Sequence, residues 1–168
     1  MPQVTSDNVA AGFVSYCSTG PAAIIGLFPG GISYARPPIS PQSAPANEPI
    51  NSNTKYPLMR LKVVELDPET WSNGYYLGKY TVTLEAVANN DNPDTDRLVG
   101  AIKNLFSDCQ MQRGGVPNII VPNADSVLRV RPVSPGESLE YENNTRAGVN
   151  VVIGRASWEV QLQAHYGA

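Results

Sequence analysis

YYLGKYTVTLEAVA, residues 75–88, decides the fold. Tyr80, Val82, Leu84 and Ala86 fall on one side of an extended chain, and Lys79, Thr81, Thr83 and Glu85 fall on the other. Alternation with a period of two is the mark of a strand with one face on a core and one face toward polar surroundings. The sequence therefore predicts a sheet, and this strand gives it an inside and an outside.

Working outward, DPETWSNG (67–74) is dense in turn-forming residues and predicts a connection to the strand before it. That strand contains Leu58 to Val64, with Met59, Leu61 and Val63 alternating against Arg60 and Lys62. On the C-terminal side, Asn92 as cap, Pro93 as first helical residue and the acids Asp94 and Asp96 predict a helix start. Leu98, Ile102, Leu105 and Cys109 then recur at helical spacing and form the stripe expected to lie on the sheet. SVLRVRPV (126–133) reads as a further strand, between an expected long loop over 110–124 and a polar loop over 136–148. The last strand places Ala156, Trp158, Val160, Leu162, Ala164 and Tyr166 inward, and Arg155, Ser157, Glu159, Gln161, Gln163 and His165 outward.

Before residue 58, Ser6 and Asp7 predict a helix start, and Val9, Phe13 and Tyr16 or Cys17 give that helix one apolar face. Gly20-Pro21 stops it. Gly30-Gly31 permits a tight turn into a short strand from Ile32 to Ala35. Six prolines between Pro37 and Pro57 then predict an extended loop. The expected architecture is a single α+β domain over residues 1–168: an antiparallel sheet of about four to five strands with two helices packed on one face, plus long loops.

Composition narrows the function. The chain has 168 residues, 42% hydrophobic and 16% charged, with a formal net charge of −3. Such a balance is that of a globular protein and argues against one that grips nucleic-acid phosphates over its whole surface. No run of about 18 apolar residues occurs, so no membrane-spanning helix is expected. MPQVTSDN lacks the basic start and apolar core of a secretory leader. Cys17 and Cys109 are expected to be separate buried thiols.

The motifs that suggest chemistry fail on their context. Ser33 in Gly31-Ile32-Ser33-Tyr34-Ala35 nearly spells a hydrolase elbow, but Arg36-Pro37-Pro38 prevents the helix that must follow the nucleophile. Asp91, Asp94 and Asp96 lack the glycine and the glutamate of a calcium loop. One histidine and two separated cysteines give no zinc spacing. The sequence predicts no catalytic residue, no cofactor and no metal, hence a protein that is not an enzyme.

Candidate contact residues remain. Arg60 with Lys62, and Arg129 with Arg131, each project from one face of a strand. If their strands are neighbours, they form a basic patch on the sheet surface opposite the helices. A solvated face, a protein interface and a nucleic-acid contact are all open readings of that patch. Tyr141 and Arg146, in the expected loop 136–148, are residue types favoured as interface anchors.

The segments LFPGGISYARPP, YPLMRLKVV, YYLGKYTVTLEAVA, DTDRLVGAIKNLF and GRASWEVQLQAHY, together with the N-terminal helix, resemble the tail terminator or tail completion family of long-tailed bacteriophages. The resemblance implies a structural virion protein of the tail and neck, assembled in the host cytoplasm. It implies a homohexameric ring that caps the tail tube protein, meets a neck or head-completion protein, and lets DNA pass without sequence-specific binding. Another head-tail connector, such as a head-closure or minor tail protein, shares the same composition. A small nucleic-acid-binding module is the third reading. The Pro-rich segment 37–57 and the length of 110–124 depart from the family pattern.

Overall fold

The computed structural model describes residues 3–19, 24–35, 56–89, 97, 119–144 and 149–166, with the backbone alone at 35, 72, 89, 132, 134–144 and 149–153. The elements are α1 (Ser6–Thr19), β1 (Ile32–Ala35), β2 (Leu58–Thr70), β3 (Tyr75–Asn89), β4 (Ser126–Asn144) and β5 (Val149–His165). Five strands form one sheet in the order β1-β2-β3-β5-β4.

The expected fold class needs correction on two points. First, the sheet is mixed: β1 runs parallel to β2, pairing Ile32 with Met59 through Ala35 with Lys62. Parallel neighbours require a long crossover, and residues 36–57, which include the Pro-rich segment, join these two strands. Second, the described residues contain one full α-helix and short 3-10 turns at Ile25–Leu27 and Ser72–Gly74, not two packed helices. The expected helix over 92–109 lies outside the described residues except for Arg97, which is helical and exposed. Cys109 lies outside them as well.

Each element forms for a local reason. Helix α1 is capped by Thr5, one residue earlier than the sequence suggested. Thr5 Oγ1 accepts from the Asn8 N–H at 3.3 Å, and Asn8 Oδ1 accepts from the Thr5 N–H at 2.9 Å. That reciprocal pair satisfies two backbone donors at the helix start. The helix buries Val9, Phe13, Tyr16 and Cys17. At Gly12 a Cβ would stand 2.8 Å from the Ile120 carbonyl oxygen, so glycine lets the segment around Ile120 lie against the helix. The segment before the helix is held by two tyrosines. Tyr76 Oη accepts from the Val4 N–H at 3.0 Å, and Tyr80 O–H donates to the Val4 carbonyl at 3.2 Å. Gly31 turns the chain into β1 with φ of +79° and donates to the Phe28 carbonyl at 2.8 Å.

The inner face carries the core: Met59, Leu61 and Val63 of β2; Tyr76, Tyr80, Val82, Leu84 and Ala86 of β3; Ala156, Trp158, Val160, Leu162 and Ala164 of β5. These are the positions that alternation assigns inward, with Tyr166 as the exception, since it is exposed at the end of the sheet.

Two expected loops are shorter than the sequence suggested. β2 continues to Thr70 through a bulge between Leu66 and Glu69, so the turn shrinks to Trp71–Gly74, where Asn73 and Gly74 adopt positive φ. The expected loop 136–148 is mostly strand. β4 runs to Asn144, pairing Glu137 with Ala156 through Asn144 with Val149 after a register shift beyond Pro132. Pro132, opposite Trp158, is the last paired residue before that irregularity, and Pro135 falls within it.

Candidate functional site on the charged face of the sheet

The outer face is a ladder of polar rungs set by strand register. Arg60 of β2, Glu85 of β3 and Arg155 of β5 form one rung, and Lys62, Thr83 and Ser157 form the next. Toward the β2–β3 turn, Val64, Thr81, Glu159 and Arg131 form another rung, and Leu66, Lys79, Gln161 and Arg129 the one after it.

Glu85 anchors the first of these groups. Its side chain is fully buried, with Oε1 2.6 Å from Arg155 Nε and 3.0 Å from Lys62 Nζ, and Oε2 2.9 Å from Arg60 Nε. Burial pushes the carboxyl pKa up, but the hydrogen bond from Arg155 and the charges of Arg60 and Lys62 outweigh it. The net shift is downward from the ordinary 4.5. One rung on, the Thr83 and Ser157 hydroxyls lie 2.8 Å apart. Oε1 accepts a hydrogen bond from Arg155, whereas Oε2 and Arg60 Nε are close as an ion pair without a hydrogen bond between them, so charge rather than hydrogen-bond geometry holds that side of the cluster.

Glu159 is the second centre. Arg131 donates to its Oε2 at 2.9 Å and Gln161 Nε2 donates to its Oε1 at 2.9 Å. The Arg131 hydrogen bond chiefly holds its pKa below 4.5, with Arg129 adding a smaller charge effect. Arg131 remains about half exposed and Glu159 about one-fifth.

The sequence set Arg60 with Lys62, and Arg129 with Arg131, each on one face of its strand, and strand register places both pairs on the same face of the sheet. It does not unite them into one patch: β3 and β5 stand between β2 and β4. Each pair instead lies near its own glutamate. Tyr141 lies within β4 at the register position of Val152, not on a loop. Arg146 lies outside the described residues.

Sequence reasoning missed two arrangements. Glu85 was read as one outward polar residue among several, because alternation reports a face and says nothing of depth. His165 was read only as an outward residue of the last strand, yet its Nδ1 stands 2.7 Å from Asp125 Oδ2 and its ring centroid 3.8 Å from that of Tyr75. Asp125 is placed there by its own N–H, which donates to the Gln163 carbonyl at 2.9 Å. No spacing signal links residues so far apart in the chain. The remaining chemical candidates have ordinary settings. Ser33 lies inside β1 opposite Arg60, and burial pushes the Cys17 thiol up to about 12, which leaves it protonated and unreactive. Among the described residues no group of three His, Cys, Asp or Glu side chains could hold a metal ion, and no helix is long and apolar enough to cross a membrane.

What most distinguishes this sheet is its two edges. β4 is the outermost strand on one side, and no described strand pairs with its outer edge. On the other side, β1 covers β2 only from Met59 to Lys62. From Val64 to Thr70 every residue of β2 is exposed.

No protein-family model and no curated protein matches the chain. A solved structure whose title states no function is similar to it at 14% identity and a TM-score of 0.43, over 99% of this chain and 100% of that one.

Proposed function

We propose that the protein is a structural virion subunit, a tail terminator that assembles into a ring on the tail tube of a long-tailed bacteriophage and meets the neck. The family assignment rests on the sequence segments that resemble that family. The observation that carries the assembly role is the pair of open sheet edges. Proteins that work as monomers blunt or cover long edge strands, because unpaired N–H and C=O groups recruit other chains. Here a 19-residue strand closes one side of the sheet, and on the other no described strand pairs with β2 beyond Lys62. In a ring, each edge has a neighbour.

The charged face agrees with the role. Arg60, Lys62 and Arg155 are engaged by Glu85, and Arg131 by Glu159. Cations already neutralised by carboxylates give little of the counterion-release affinity that grips DNA, as suits a subunit past which DNA must slide.

Electron microscopy of the purified protein tests the proposal. Discrete rings, and arrest of tube growth when the protein is added to polymerising tail tube protein, are the expected results. A monomer at every concentration that leaves tube length unchanged would overturn it.

A further inference from the structure

The two open edges are complementary to one another. Between Val63 and Thr70 the exposed edge of β2 carries Glu65, Asp67 and Glu69 and no basic residue. Between Ser126 and Val133 the edge of β4 carries Arg129 and Arg131 and no acid. Strand register sets these segments at one level across the sheet: Val64 shares a row with Arg131, and Leu66 shares a row with Arg129. Both edges also expose large apolar side chains, Val64 and Leu66 on β2, Leu128 and Val133 on β4.

We infer that β4 of one subunit pairs antiparallel with residues 63–70 of β2 in the next, extending the sheet from copy to copy. The inference rests on the reading that the protein assembles with itself. Strand direction permits the pairing. Each of the pairs β2–β3, β3–β5 and β5–β4 is antiparallel, so β2 and β4 run in opposite directions within a subunit. A second copy in the same orientation, moved sideways by one sheet width, therefore presents its β4 antiparallel to this β2. The stems of Arg129 and Arg131 then cover Val64 and Leu66 on the face they share, and their positive charge, which Arg131 shares with Glu159, approaches Glu69 on that face, while Glu65, in the row of Tyr80, lies on the other. The contact joins two different surfaces, so repetition gives a ring when the rotation closes. Pairing β4 with β4, or β2 with β2, sets like charges against each other, which disfavours a two-fold dimer.

Paired charge reversals test this contact. Variant one carries Arg129→Glu and Arg131→Glu; variant two carries Asp67→Lys and Glu69→Lys. Each alone has like charges on both edges, and we expect the concentration for half-assembly to rise by on the order of a hundredfold. Mixed in equal amounts, the two should recover assembly in mass measurements, because each edge then meets its opposite. Far-UV circular dichroism checks that each variant is folded, and the unaltered protein supplies a measurement that needs no variant. In assembled protein, amide hydrogen exchange at 63–66 and 127–131 should slow relative to dilute subunits. Assembly by either folded variant at the unaltered concentration, or slowed exchange confined to other segments, would overturn the edge pairing and leave the ring intact. Failure of the unaltered protein to assemble would overturn the ring itself, and the pairing with it.

Discussion

Glu85 and Glu159 stand on the same face of the same sheet, each bridged to an arginine on a neighbouring strand, but their surroundings differ. Around Glu85 the sheet is closed: Met59 to Leu61, Leu84 to Ala88 and Arg60 itself are all buried. Around Glu159 it is open, with Val64 and Leu66 of β2 and Arg129 and Arg131 of β4 exposed in the flanking rows. One ion cluster is part of the fold, and the other lies on a surface with room for a neighbour. The same salt-bridge chemistry thus has different consequences at the two ends of one sheet, because desolvation sets what an ion pair costs when broken.

The sharpest way to break the comparison is to remove one member of each ion pair in turn. Glu85→Ala leaves Arg60 buried without its partner and should cost about 3–5 kcal/mol of stability in denaturant unfolding. Removal of the surface partner by Arg131→Ala should cost only about 0.2–1 kcal/mol. Similar losses from the two variants would show that the ends are not differently built. Between these extremes, Thr83→Ala deletes one of two facing hydroxyls beside the Glu85 cluster and should cost about 0.5–1.5 kcal/mol.

The pH dependence of stability sharpens the same contrast. The folded-state pKa of Glu85 lies below its ordinary 4.5. Its contribution is therefore complete above 4.5 and is lost as pH falls from there through the folded-state pKa, where the folded protein must also take up the proton. Unfolding midpoints of the unaltered protein should drop across that acid window. Glu85→Gln, less stable at neutral pH, should show a shallower drop. An equally steep acid limb in that variant would mean that other carboxylates carry the dependence.

Much of this arrangement is written in the sequence, and the parts that are not share a cause. Period-two alternation assigned the inner faces of β2, β3 and β5 because each of those residues has one neighbour to satisfy, the core. The turn at Gly31 and the strand after it were legible because a positive φ favours glycine. The parallel pairing of β1 was not, since four residues of strand carry no mark of direction. The second half of β4, ESLEYENN, was hidden by its acids, although Leu139 and Tyr141 do alternate with Ser138, Glu140 and Glu142. Arg60 and Lys62 lie on the charged face, yet what gathers them is the Glu85 carboxylate of β3, shared with Arg155 of β5, and the arginines of β4 stand apart from that cluster. Strand order made that choice, and strand order depends on contacts between distant segments that local pattern does not encode.

The central claim is that the open end of the sheet exists to be covered by another copy, and the mass of the unaltered protein in solution tests it most directly. Native mass spectrometry across a concentration series should show one discrete closed species, a hexamer on the family resemblance, in equilibrium with monomer. A population that stays monomeric throughout, or that stops at a two-fold dimer, would contradict it.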